Sequence, residues 1–322
     1  MRANPQRLLV TGACGFLGSE IVRQAVAGGW HVCAFGRKRG PLPAEVEFFK
    51  GDIGDPKAMT KALAGVAALI HAAGLAHVFG PEAKDTARFD AVNETGTATV
   101  MEAARTSGVP QTIVVSSVSV YGNYRGDSCN EKLPCQPQTP YAISKWKGEL
   151  RALECAAKGG IAATILRFAT IYGEGDRGNV ARLISALRSG RFVWPGSGQN
   201  RKSLIHKEDA ARACLSVLRR HVSSNDIYNV SAPPVSMREI MSAISEALGR
   251  PIPRIGIPLA LFRFGGAIAR TIGDPGQLEQ RLHKFIHDDA YDSSKFESAF
   301  DYATEVTLAE GIRREVESLI AR

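Results

Sequence analysis

The 322-residue chain has no uncharged apolar run of about 18 residues, the length a membrane-spanning helix requires. Its nearest approach, IPLALFRFGGAIARTIG from Ile257 to Gly273, is interrupted by Arg263 and Arg270. It reads as an amphipathic helix packed on its own domain rather than a membrane contact. The opening MRANPQR lacks the apolar core and cleavage site of a signal peptide. Six cysteines (14, 33, 129, 135, 155, 214) include no C-x-x-C pair. That pattern gives neither a disulfide framework nor a zinc site, and reduced thiols in a cytoplasm are expected. The histidines show no metal-ligand spacing; His71 and His206 close apolar runs and read as structural. No serine sits in G-x-S-x-G, which argues against a serine hydrolase. Net charge is +8, from 40 basic and 32 acidic residues, but clusters occur only at RKRG and NRK. A nucleic-acid binder would gather that excess on one face, so an anionic small ligand is the expected partner.

What is present has a clear rhythm. Short apolar runs at 7–10, 31–35, 46–50, 68–71, 112–116 and 163–167 alternate with longer helical stretches, several closed by Gly or Gly-Gly. Near-continuous apolar strands alternating with helices predict an α/β fold with a doubly wound parallel sheet, a Rossmann fold. Beyond Arg167, loops rich in Gly, Pro and Asn take over. The expected division is a dinucleotide-binding domain over 1–167 and a smaller, irregular substrate region over 168–322, with some segments returning to the sheet. Ligands of such folds bind at the carboxyl edge of the strands.

LLVTGACGFLGSEIV places Gly12, Gly15 and Gly18 between a strand and a helix. Gly12 permits the sharp turn, Gly15 lets backbone N–H groups approach a pyrophosphate, and Gly18 lets helix and strand pack closely. Phe16 and Leu17 open the helix, whose positive end faces the phosphates. An NAD site usually puts an acid at the end of the second strand; here HVCAFGRKRG supplies Arg37, Lys38 and Arg39 instead. A guanidinium can grip a 2′-phosphate that a carboxylate would repel, so NADP(H) is favoured and NAD(H) remains open. Asp52 and Ile53 are placed to bracket the adenine. His71, Ala72, Ala73 and Gly74 end the fourth strand, where small residues would let a cofactor lie against the backbone. Phe168, at the end of the sixth strand, completes the expected cofactor contacts.

SSVSVYG (116–122) and YAISK (141–145) carry the chemistry. Tyr141 and Lys145, four apart on a helix, project from one face. A free phenol titrates near 10, too high for acid/base work at neutral pH. The expectation is that the Lys145 ammonium and a cationic nicotinamide favour the phenolate. Ser117 at the strand tip would hold the substrate oxygen in line with the phenol.

These pieces, with GDIGD, HAAG, VNETGT, LRFATIYGEG and RKSLIHKEDAARA in order from residue 8 to about 215, resemble the extended short-chain dehydrogenases/reductases. That group is the NAD(P)-dependent epimerase/dehydratase family. The resemblance implies that Ser117, Tyr141 and Lys145 are catalytic, with Asn93 beside them. It implies a homodimer through the helices bearing Asn93 and Tyr141, and a nucleotide-activated sugar as substrate. Asn179 and Arg201 match substrate-contacting positions, and Ser119 joins Ser117 and Tyr141 in that set.

Sugar 4,6-dehydratases of this kind carry an Asp-Glu pair where this chain has Val118 and Ser119. Without that pair, loss of the C5 proton and the C6 hydroxyl has no acid and base. Redox at one carbinol remains, with C4 expected. The basic cluster tilts the reading toward a 4-ketoreductase. Alternatives are a 4-epimerase with retained NAD, an NADPH-dependent reductase of a non-sugar ketone or aldehyde, and a non-catalytic NADP(H)-binding protein.

Overall fold

β1 (Arg7–Thr11), β2 (His31–Gly36), β3 (Glu47–Lys50), β4 (Ala68–His71), β5 (Gln111–Ser117) and β6 (Ala162–Phe168) meet the six apolar runs, each within a residue or so of its expected ends. The computed structural model describes residues 6–76, 78, 81–123, 128–190, 194–195, 197–220, 225–252, 256–257 and 287–321. Later strands are β7 (Thr170–Tyr172), β8 (Trp194–Pro195), β9 (Arg201–Lys202), β10 (Leu204–His206), β11 (Asp226–Val230), β12 (Val235–Ser236) and β13 (Gly256–Ile257). The main sheet runs β11-β6-β5-β4-β1-β2-β3, with every pairing parallel. Its order reverses between β1 and β4, which opens a crevice at their carboxyl ends.

Both faces of this sheet are covered, because its strands are apolar at successive positions. Leu8, Val10, Ile70, Ile113 and Leu166 face α1 (Phe16–Ala27) and the long helix Lys207–Arg219. Leu9, Cys33, Leu69, Val114 and Ile165 face α2 (Pro56–Ala62) and the helices over 96–106 and 140–157. Between α2 and the second of these, α3 (Thr86–Phe89) runs into a π-helical turn, Asp90–Thr95, and then into α4 (Gly96–Thr106). α5 (Pro140–Ala157) starts at a defined point: Thr139 accepts the Ala142 N–H and Pro140 takes the first turn, where its missing N–H has no use.

The region after β6 builds its own core. α6 (Asn179–Arg188), α8 (Met237–Ala247) and α10 (Leu308–Ile320) bury Ile184, Met241, Ile244, Ile312 and Val316 together. α7 (Lys207–Arg219) and β11 return to the main sheet, and α9 (Ser294–Phe300) packs beside β11. Among the described residues no helix is long and apolar enough to cross a membrane. The Ile257–Gly273 segment, apart from Ile257 in β13, lies outside the described residues, as do His77, His221 and His283.

Candidate active site

The turn after β1 requires glycine. Gly12 has φ +67°, and a Cβ there would lie 2.7 Å from the Ala73 backbone. The loops after β1 and β4 therefore press together with no room for a side chain. A Cβ at Gly18 would sit 2.1 Å from the Gly12 carbonyl oxygen, so α1 lies directly against the turn. α1 begins at Gly15 with no side-chain cap and no acid in its first turn, which leaves its N–H groups for an anion. At Gly74 a Cβ would come within 3.2 Å of Asn93 Oδ1 and 3.9 Å of Lys145 Nζ. These glycines shape a cradle that side chains would fill, and its donors suit a dinucleotide pyrophosphate.

At the far end of the crevice, Arg37 and Lys38 are exposed beyond β2 and have no ion-pair or hydrogen-bond partner among the described residues. Arg39 is turned away: its Nη2 donates to the Pro43 carbonyl at 3.4 Å and its guanidinium lies 6.0 Å from the Phe48 ring centre. Gly40 N–H donates to Cys14 Sγ at 3.1 Å, tying the basic loop to the glycine turn. Asp52 Oδ1 accepts the Gly54 N–H, and Ile53 packs where a Gly96 side chain would stand.

At the tip of β5, Ser117 caps a short 3-10 turn by accepting the Ser119 N–H, and its hydroxyl lies near enough to the Tyr141 phenol to lower it. Tyr141 also meets Phe89 edge to face, with ring centres 6.2 Å apart. Lys145 Nζ donates to the Val115 carbonyl at 2.6 Å. Asn93 lies in the π-helical turn, where its amide takes the Leu75 N–H at 2.8 Å and donates to the Leu75 carbonyl and to Ser144 Oγ. Ser144 in turn donates to the Tyr141 carbonyl. Asn93 thus ties the loop after β4 to the first turn of α5.

Burial dominates the electrostatics of both groups, Tyr141 and Lys145. Burial pushes the Tyr141 phenol up, offset in part by the hydrogen bond from Ser117, and Lys145 is not what sets it. Burial likewise pushes Lys145 down to about 8, with the Glu149 carboxylate opposing that shift. The ammonium gives one of its three donors to a carbonyl of β5, and the shift at Tyr141 comes from burial and Ser117.

The Phe168 ring, 1% exposed, is packed in the core that includes residues of α1 and α7. Arg201 is exposed and its charge acts on Glu239 at the start of α8. Its neighbour Lys202 is the buried cation, with Nζ 2.9 Å from the His287 carbonyl. Asn179 is exposed at the first turn of α6, which Asp176 caps by accepting from Gly178 and Ala181. Ser119 Oγ is enclosed without a hydrogen-bond partner.

Several residues that shape the site went unidentified in the sequence. Glu149 takes bidentate hydrogen bonds from Arg167 at 2.6–3.1 Å and another from Ser116 at 2.5 Å. Thr11 and Thr97 bracket the His71 ring at 2.8 and 3.0 Å. Glu149 could have been found as the polar residue one turn beyond Lys145 on a buried helix face; the threonines give no such signal.

Comparisons with known proteins agree with this architecture. Residues 8–231 match the model of the NAD dependent epimerase/dehydratase family. The chain is 28% identical to the N-acetyl-alpha-D-glucosaminyl-diphospho-ditrans,octacis-undecaprenol 4-epimerase of Escherichia coli O157:H7, over 95% of this chain and 93% of that protein. It is 29% identical to the 2-alkyl-3-oxoalkanoate reductase of Stenotrophomonas maltophilia (strain K279a), over 96% and 98% of the two chains. Among solved structures, MoeE5 in complex with UDP-glucuronic acid and NAD superposes with a TM-score of 0.78 at 28% identity, covering 98% of this chain and 99% of that one. The glycine turn at the sheet's reversal point, the Ser117–Tyr141 pair and the match over most of the chain converge: the chain belongs to the NAD dependent epimerase/dehydratase family and is an enzyme of that family.

Proposed function

We propose that the protein reduces a ketone at a ring carbon, C4, of a nucleotide-activated sugar, with NADP(H) preferred over NAD(H). The observation that carries this reading is Ser117 at the tip of β5 brought to Tyr141 on the first turn of α5, with burial raising the phenol. Reduction of a ketone needs a proton donor beside the oxygen, and a phenol raised by burial keeps its proton at neutral pH. A bound reduced nicotinamide supplies the hydride. Ser117 Oγ orients the substrate oxygen, Tyr141 gives up its phenolic proton to it, and Lys145 stands one turn away to stabilise the phenolate left behind. Asn93 holds the start of α5, and so the phenol, against the loop after β4.

Val118 and Ser119 occupy the positions after Ser117, so no carboxyl group there can drive dehydration. The unpartnered Ser119 hydroxyl suits a hydrogen bond to the sugar. Asn179 and the Arg201–Lys202 strand belong to the region that would receive the nucleotide. Arg37 and Lys38, free at the end of β2, favour a 2′-phosphate. A 4-epimerase with retained NAD is the second reading, supported by similarity to the Escherichia coli 4-epimerase and to an NAD-bound structure. A cytoplasmic homodimer, through the helices bearing Asn93 and Tyr141, accompanies either reading.

The test is to mix purified protein with NADPH or NADH and a panel of UDP- and dTDP-4-keto sugars. Stoichiometric loss of nicotinamide absorbance supports reduction; interconversion of 4-epimers without cofactor consumption replaces it with epimerisation. Tyr141→Phe is expected to lower turnover by about two to four orders of magnitude while dinucleotide affinity holds. Full activity in that variant would rule out the phenol as proton donor.

A further inference from the structure

The end of β4 carries a buried histidine that the proton-transfer scheme leaves unused. His71 is 1% exposed, and its neighbours Thr11, Thr97 and Asn93 are 0%, 2% and 1% exposed. Four hydrogen bonds join them into one chain. Ala73 N–H donates to Thr11 Oγ1 at 3.3 Å, and Thr11 Oγ1 meets His71 Nδ1 at 2.8 Å. On the other side His71 Nε2 meets Thr97 Oγ1 at 3.0 Å, and Thr97 donates to the Asn93 carbonyl at 2.7 Å.

The direction of every bond follows from its ends. A carbonyl only accepts, so the single hydroxyl proton of Thr97 is committed to Asn93, and Thr97 can only accept from the ring. Nε2 therefore carries a proton. A neutral ring then leaves Nδ1 bare, to accept the Thr11 hydroxyl proton, and Thr11 is free to accept from Ala73. Each group is satisfied once, in one tautomer. A second ring proton would face the Thr11 oxygen and strand the hydroxyl proton already pointing at Nδ1. Burial, helped by the Lys145 charge, accordingly pushes His71 down to about 3. Lys145 on α5 is the charged group that faces the ring; β1 and α4 present only threonines to it.

We propose that His71, clamped between Thr11 and Thr97 as a neutral ring in the Nε2–H form, is a positioning residue that fixes the Asn93 carbonyl and the loop after β4 relative to the glycine turn. The chain spans from the segment that contacts Gly12, through the π-helical turn, to the wall of α5. There, a Cβ at Gly148 would come within 2.3 Å of the Asn93 carbonyl oxygen and 3.4 Å of Thr97 Oγ1. No slack exists on that side, so a change in the ring's hydrogen bonding is transmitted to Asn93 and, through Ser144, to Tyr141. Keeping the ring neutral also leaves Lys145 without a second cation beside it.

Two measurements test this, and only the second rests on the proposed reduction. Nitrogen NMR of the histidine-labelled protein is expected to show one His71 species, protonated at Nε2 and bare at Nδ1, unchanged from about pH 8 to about pH 5. A ring protonated at Nδ1, or one that titrates in that interval, overturns the proposal whatever the substrate proves to be. Thr97→Val removes the acceptor for Nε2–H and the donor to Asn93. It is expected to lower kcat about tenfold or more with dinucleotide affinity and KM changed less than about twofold, and Thr97→Ser restores kcat. Unchanged kcat in a folded Thr97→Val protein, or failure of Thr97→Ser to rescue, likewise overturns it.

Discussion

Replacing Glu149 with glutamine tests whether the ion pair behind the site is a structural keystone. The Glu149 and Arg167 side chains are 2% and 5% exposed, with Arg167 Nη2 2.6 Å from Glu149 Oε2. Taking both charges out of water costs several kcal/mol each, so the intact pair contributes little net stability against an apolar pair of similar volume. Removing one partner is different, because the guanidinium stays buried without its counter-charge, a loss of about 3–5 kcal/mol. Glutamine keeps one acceptor but turns an NH₂ toward the Arg167 donors. For 322 residues the unfolding entropy is about 0.7 kcal/mol per degree, so Tm should fall by about 4–7 °C. The double variant Glu149→Leu/Arg167→Met should recover most of that loss; Tyr121, which loses Arg167 Nη1, still donates to Asn229 Oδ1 at 2.8 Å. Thermal melts of wild type, single and double variants check this. A single variant within about 1 kcal/mol of wild type, or a double variant as unstable as the single, would refute the reasoning. Glu149 also opposes the depression of Lys145, so in Glu149→Gln the lysine should lose its proton at lower pH, and any alkaline limb of kcat should move down with it.

Other predictions concern charge. Glu315, 0% exposed beside Asp176 and Glu174, has its carboxyl pushed up to about 8 by burial first and those acids second. The folded protein then holds a proton that the unfolded chain releases in the ordinary carboxyl range, so its stabilising share is full below that range and is lost as pH rises toward 8. Glu315→Gln keeps an acceptor for the Gly173 N–H and should flatten this decline; parallel Tm-against-pH curves for the two proteins would refute it. Arg37→Asp should lower the ratio of kcat/KM for NADPH to that for NADH by about tenfold or more, the worth of a charge-assisted hydrogen bond. An unchanged ratio would remove the NADP(H) preference.

How much of this was legible in the sequence depends on how locally each feature is determined. The six strands from Arg7 to Phe168 announce themselves as uninterrupted apolar runs because both sheet faces are covered. Strand β11 does not: DIYNV carries an Asp at its start and an Asn near its end, residues that favour turns. In the fold that Asn229 is fully buried, accepting the Tyr121 hydroxyl and donating to the Cys129 carbonyl, partners about one hundred residues away. Side-chain orientation at Phe168 and Arg201 is non-local for a related reason. Strand position alone does not say which face a side chain takes, and here Phe168 points into the core while Lys202, not Arg201, turns inward.

The same distinction governs the chemistry. A four-residue spacing on a helix is enough to place Tyr141 and Lys145 on one face, and a serine at a strand tip is enough to bring Ser117 to the phenol. Protonation is set elsewhere. Lys145 finds a carbonyl on β5, thirty positions earlier, and its nearest counter-charge is a carboxylate already engaged by Arg167. Tyr141 is left with burial, which raises the phenol, and one hydroxyl donor, which opposes that shift and is outweighed by it. The motif therefore identifies which polar groups meet at the strand tip, while non-local packing decides their protonation. Sequence spacing is thus enough to gather the groups, and the tertiary fold is needed to set their charge.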